Sequence, residues 1–173
     1  MMNTGNLKVT TPSDTEILMT RVFDAPRALV WEAMSSPDLI KRWLLGPPGW
    51  TMVLCEGDTR VGGKFHWSWR GPDGAELSMK GEYKEVNPPE RCVRTEAFSF
   101  GPDSPIGEQL VTMVLKEENG KTNLILTLLY DSKEARDGAI SSGMEHGVAS
   151  SYDRLAELLS SGGARGDSQA GAR

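Results

Sequence analysis

The segment SKEARDGAISSGMEHGVASSYDRLAELLS, residues 132–160, decides how the rest of the chain must be arranged. It is the longest run with helical periodicity, and it follows a series of strand-like segments. Wound at 3.6 residues per turn, one side collects Ile140, Met144, Gly147, Val148, Ser151, Tyr152, Leu155, Leu158 and Leu159. The opposite side carries Glu145, His146, Asp153 and Glu157, which suit water. A continuous helix there would be roughly 42 Å long, enough to cross a small sheet. Gly138 and the Gly143/Gly147 pair weaken its first half, each by about 1 kcal/mol against alanine. The early part is therefore either the start of one rod or a separate short helix. The apolar stripe either closes a filled core or walls a ligand cavity.

Upstream of that helix the pattern is strand and turn. Residues 1–14 read as a flexible leader. Glu16 to Phe23 reads as a first strand, and Asp24-Ala25-Pro26 then starts a helix, with an acceptor side chain near the cap and proline near the first turn. Ser36-Pro37-Asp38 repeats that signal for a second short helix, which Gly46-Pro47-Pro48-Gly49 ends. Strands follow at Trp50 to Glu56, Lys64 to Arg70, Glu76 to Val86, Arg91 to Phe98, Gln109 to Lys116 and Thr122 to Tyr130. Gly71-Pro72-Asp73-Gly74 and Asn119-Gly120 are hairpin turns, and residues 99–107 are a loop. Consecutive hairpins give an antiparallel sheet, and its apolar face needs a cover. The last helix is long enough to provide it, with the two short helices bracing its far end. The expected fold is α+β: a curved antiparallel sheet of about seven strands wrapped on a long C-terminal helix, with two short helices between the first and second strands. One domain spans residues 15–160, and residues 161–173, small and Gly-rich, read as a disordered tail.

Composition narrows the function classes. A net charge of −5 over 173 residues argues against general nucleic-acid binding. No apolar run approaches the roughly 20 residues needed to span a bilayer, and the N-terminus has no signal-peptide core. The expected compartment is the cytoplasm. Cys55 and Cys92 lie far apart, without CxxC or metal spacing, and read as reduced structural thiols.

Several motifs occur in a characteristic order: Arg21-Val22-Phe23-Asp24-Ala25-Pro26, Val30-Trp31-Glu32-Ala33, Trp43, Asp58-x-Arg60-Val61-Gly62-Gly63, Gly71-Pro72-Asp73-Gly74, Gly81-Glu82-Tyr83, Pro88-Pro89-Glu90-Arg91, His146-Gly147 and Asp153-Arg154-Leu155. Together they resemble the SRPBCC (START-like) superfamily. Within it they are most similar to the family related to the C-terminal domain of the activator of the ninety-kilodalton heat-shock chaperone's ATPase. The resemblance spans residues 15–160. It implies a helix-grip fold and a hydrophobic cavity between sheet and long helix. It does not imply one activity, because a shared fold hosts many. Locally, Gly62-Gly63 permits a sharp turn, and Asp58 can pair with Arg60 across it.

The cavity reading rests on Phe65, Trp67, Trp69, Met79, Tyr83, Met113, Leu126, Met144, Val148 and Tyr152. Their aromatic and thioether character suits an apolar or aromatic small molecule. The competing reading is that these side chains fill the space themselves. Acid–base chemistry would need a titratable group inside. His66 alternates with the tryptophans and should face outward, as should His146, opposite the helix stripe. The inward face of residues 91–98 is ambiguous, since Val93/Thr95/Ala97 and Cys92/Arg94/Glu96/Phe98 both hold apolar residues. Glu96 becomes a candidate acid or base only if its face points inward, where it would need a partner. Tyr130 is a second conditional polar group. No nucleophile set, phosphate loop or metal-ligand spacing is present in the sequence, so no cofactor or metal is expected and the catalytic residues stay unknown. Three functions stay in view: a carrier of a small hydrophobic molecule, a cyclase- or hydrolase-type enzyme using the same cavity, and a chaperone-ATPase cofactor acting through its surface. The last follows from the resemblance alone, and the additional N-terminal domain of such activators is not evident here. Either a monomer or a homodimer is compatible with the sequence.

Overall fold

The computed structural model describes residues 2–100 and 105–162. Nine strands among them form one sheet: β1 Met2–Thr4, β2 Leu7–Ser13, β3 Glu16–Phe23, β4 Thr51–Gly57, β5 Lys64–Arg70, β6 Glu76–Asn87, β7 Arg91–Ser99, β8 Pro105–Glu118 and β9 Lys121–Leu129. Every pairing is antiparallel, in the order β1-β2-β3-β9-β8-β7-β6-β5-β4. The one non-consecutive neighbour pair, β3–β9, explains the topology. After β3 the chain crosses to the far edge through α1 (Arg27–Ser35) and α2 (Pro37–Trp43), then meanders back from β4 to β9. Two more helices, α3 (Lys133–Ser141) and α4 (Met144–Ser160), follow the sheet. This is the α+β helix-grip architecture, with α2 and α4 over the apolar face.

Strand alternation builds that face. In β3, Ile17, Met19 and Phe23 are each 1% exposed, while Val22 between them is open to solvent. In β5, Phe65, Trp67 and Trp69 turn inward and His66 and Ser68 outward. Ser68 Oγ lies 3.3 Å from His66 Nε2 on the outer face. From the helix side, Tyr152 packs its ring against Phe23 and Trp43, at centroid distances of 5.9 and 5.8 Å. Arg21, on the inward face of β3, donates from Nη1 to Asp153 Oδ1 of α4 at 2.6 Å.

Three expectations need correction. Residues 1–14 are not a flexible leader: β2 pairs with β3, and Leu7 and Val9 are sealed in the core. Two apolar residues spaced by two have the strand period, but so short a pattern is easily passed over. With β1 and β2, the strands number nine rather than about seven. For the last helix, the reading with a separate early helix holds. Gly143, at φ +74°, breaks it into α3 and α4, and glycine takes that conformation without a Cβ penalty. The expected loop at 99–107 is shorter, because β8 begins at Pro105. The helix start at Asp24-Ala25-Pro26 also has a different cap: Arg27 N donates to Glu117 Oε1 of β8 at 2.6 Å, ninety residues along the chain. Of the expected tail, residues 163–173 lie outside the described residues.

Arg136 of α3 holds the β2–β3 turn. It is 7% exposed, and its Nη1 donates to Ser13 O at 2.5 Å and reaches Glu16 O at 3.4 Å. Arg136→Ala removes the donor from two carbonyls, so a loss of about 1–3 kcal/mol is expected. Urea unfolding would measure the total. Faster amide exchange confined to β2 and β3 would locate it.

Candidate functional site

Between the sheet and the α2/α4 layer lies a cavity of about 100 Å³. Most of its wall is apolar. Methionines contribute from four elements: Met19 from β3, Met34 from α1, Met79 from β6 and Met144 from α4. Ile40, Trp43 and Leu44 close it from the α2 side, Trp67 and Phe98 from the sheet, and Val148, Ser151 and Tyr152 from α4. Unbranched thioether side chains repack more easily than branched ones, so this wall can deform.

The charged part of the wall is one cluster from neighbouring strands, beside the Ser151 and Tyr152 hydroxyls of α4. The structure settles the orientation of β7: Cys92, Arg94, Glu96 and Phe98 face inward. Glu96 is 4% exposed and accepts two hydrogen bonds. Arg94 Nε donates to Oε2 at 2.8 Å, and Gln109 Nε2 donates to Oε1 at 2.7 Å. Gln109 sits opposite Glu96 in the β7–β8 register. Arg94 also lies over the Trp67 ring, 5.9 Å from its centroid, and Nη1 reaches Cys92 Sγ at 3.8 Å. Burial works against the Arg94 charge, but the Glu96 carboxylate leads the opposing effects, and the guanidinium is held above its ordinary value.

Tyrosines surround this cluster. Burial raises the Tyr152 phenol above its usual range, with Glu96 adding in the same sense and Arg94 opposing. Burial likewise raises Tyr130, with Glu96 again adding. Both therefore stay protonated through neutral pH. The Tyr130 hydroxyl points to Met144 Sδ at 3.7 Å. Tyr130 borders a second, larger cleft of about 430 Å³ with Thr95, Gln109, Leu129 and Asp131, and does not line the cavity under α2 and α4.

Of the ten residues singled out for the cavity, Trp67, Met79, Leu126, Met144, Val148 and Tyr152 line it. Phe65, Trp69, Tyr83 and Met113 do not; they are spent on packing. Phe65 stacks on Trp67 and Tyr83 at 4.6 and 5.5 Å. Trp69 donates its indole N–H to Leu44 O at 2.8 Å, and Met113 is opposite Leu126, 2% exposed. Sequence reading missed Gln109 altogether. Its signal is the register Gln109-Val111-Met113-Leu115, which puts a lone amide at the end of an inward-facing row. The two histidines lie outside the cavity. His66 is on the outer face, and His146, 71% exposed, lies 3.5 Å from the largely buried Glu145. Glu145 was expected on the wet side. Cys55 and Cys92 are both free thiols, each raised above its usual value by burial. Among the described residues no group of His, Cys, Asp and Glu is gathered to hold a metal, and no helix is long and apolar enough to cross a membrane.

The fold has known counterparts. A crystal structure of a protein from Rhodobacter sphaeroides superposes with a TM-score of 0.83 at 29% identity, covering 90% of this chain and 99% of that one. A protein from Mycobacterium smegmatis matches with a TM-score of 0.78 at 24% identity, covering 88% of this chain and 95% of that one. The AHSA1 protein from Silicibacter pomeroyi matches with a TM-score of 0.67 at 23% identity, covering 84% and 97%. The latter two bear on the fold alone. No curated protein matches the chain. The model of the family described as "Activator of Hsp90 ATPase homolog 1-like protein" matches residues 24–160. With the helix-grip sheet and the motif order already described, this chain belongs to that family, within the SRPBCC superfamily.

Proposed function

We propose that this protein binds a small, mainly apolar or aromatic molecule in the cavity between the sheet and α2/α4. The observation that carries the reading is a deformable apolar cavity with one charged cluster, Arg94–Glu96–Gln109, set into its wall. Apolar burial supplies affinity and the polar cluster supplies orientation. At about 100 Å³ the cavity is below the roughly 300 Å³ of ordinary ligand pockets, so the ligand is small or the methionine wall yields to it. The enzyme reading is less favoured, since Glu96 is engaged by Arg94 and Gln109 through one hydrogen bond at each oxygen.

Native mass spectrometry of the purified protein, compared with the denatured spectrum, tests this. A small molecule present natively and released on denaturation is the expected result, and its mass gives its chemistry. The same spectrum reports monomer or homodimer. Val148→Phe is expected to fill the cavity, abolish binding and leave the melting temperature equal or higher. Retained binding by a folded Val148→Phe protein would place the ligand elsewhere.

A further inference from the structure

The hydrogen-bonding groups of the cavity wall are unequally spent. Both Glu96 oxygens already accept, from Arg94 Nε and Gln109 Nε2. The donors are less used. Arg94 Nη1 has only the weak acceptor Cys92 Sγ at 3.8 Å, and Nη2 has no hydrogen bond among the described residues. The Tyr152 hydroxyl, on a ring that lines the cavity, also has none among them. Arg21 Nε is the one fully buried side-chain nitrogen or oxygen without a partner among the described residues. Arg94 Nη2 and the Tyr152 hydroxyl, unpartnered yet not among such buried atoms, therefore keep accessible surface, and both side chains border the cavity. Gln109 Oε1 also has no hydrogen bond among the described residues, so the cavity lacks an acceptor for Arg94 and Tyr152 and a donor for Gln109.

Charge then limits the kind of acceptor. Arg94 and Glu96 compensate each other at 2.8 Å, and the rest of the lining is neutral. An added carboxylate would be an unbalanced charge in an apolar enclosure, which is strongly disfavoured. A carbonyl oxygen satisfies the donors and adds no charge. Size limits the body: about 100 Å³ is less than the roughly 150 Å³ of a cavity known to accept benzene, so one ring is the scale once the methionines shift. We propose that the ligand is a compact, single-ring molecule bearing a neutral carbonyl, whose oxygen accepts from Arg94 and Tyr152. This rests on the cavity being the binding site.

Three probes of similar size separate the possibilities: acetophenone (neutral acceptor), ethylbenzene (no acceptor) and benzoate (anion). Each is titrated at pH 7 into full-length protein carrying ¹³C-methyl methionine, and the Met19, Met79 and Met144 signals are followed. Acetophenone is expected to bind about fivefold tighter than ethylbenzene, the size of one net hydrogen bond, with benzoate weakest. Tyr152→Phe is expected to erase much of the acetophenone advantage and leave ethylbenzene unchanged. Glu96→Gln keeps an acceptor beside Arg94 but releases its positive charge, so benzoate should overtake acetophenone. A merely structural Glu96 would not move that order. If Glu96→Gln does not fold, the three-probe ranking and Tyr152→Phe still decide. Ethylbenzene binding as tightly as acetophenone overturns the carbonyl assignment and leaves the cavity reading standing. Benzoate binding tightest to the unaltered chain overturns it in favour of an anion site. If no probe shifts the methionine signals, the cavity reading falls and this inference with it.

Discussion

Replacing Arg94 with methionine is expected to lower stability by about 3–5 kcal/mol, because it strands a buried carboxylate without its counter-ion. Glu96 is 4% exposed, and Arg94 Nε is 2.8 Å from its Oε2. Gln109 would remain at 2.7 Å, but a neutral amide cannot replace the lost charge. Urea unfolding at pH 7 gives the size of the loss. The double variant, Arg94→Met with Glu96→Leu, removes both charges and should recover most of it, since buried pairs often exchange for apolar residues at little cost. The recovery would not be complete, because Gln109 would lose its acceptor. A loss under about 1 kcal/mol for Arg94→Met would mean that the pair is solvated, as exposed ion pairs are. The cavity could then not be the apolar enclosure on which the binding proposal depends. The pair thus links stability and function through one quantity, the desolvation of Glu96.

How much of this was legible in the sequence varies with the kind of information needed. The aromatic alternation of β5 announced its inward face, and Asn119-Gly120 announced the β8–β9 hairpin, where both residues have positive φ. The weakness of residues 132–143 as helix was readable from glycine, and Gly143 is where the helix breaks. The face of β7 was not readable, because both alternating sets contain apolar residues. Only the β7–β8 register, which sets Glu96 opposite Gln109, decides it. The cap of α1 comes from Glu117, and no local pattern can point to a partner that far away. The site was half legible for a related reason. Periodicity identifies the face that Phe65, Trp67 and Trp69 share, but not how far along it the void lies. That depends on which rings find partners: Phe65 and Trp69 are consumed by Tyr83 and by the Leu44 carbonyl, and Trp67 is left beside the space.

Gly81→Ala tests the packing that fixes where that space begins. Gly81 faces Phe65 across the β5–β6 pair. A Cβ there would lie 1.8 Å from Thr95 O and 2.5 Å from Phe65 Cζ. The first contact is with backbone, so no rotamer change relieves it: either β7 moves away from β6, or the substituted strand shifts. The Phe65 ring cannot yield freely either, being held against Trp67 at 4.6 Å and Tyr83 at 5.5 Å. Overpacking of this kind is expected to cost about 3 kcal/mol or more, a fall of about 10 °C in melting temperature for a chain of this length. Gly138→Ala is the matched control. It lies in α3 with no atom within 4 Å of an added Cβ and no positive φ. There alanine is expected to stabilise by up to about 1 kcal/mol. Thermal unfolding of the two variants should therefore move in opposite directions from one chemical change. Equal shifts would mean that β6 and β7 are not in close contact at Gly81, and the wall carrying Arg94 and Glu96 would then lie farther from Trp67 than 5.9 Å.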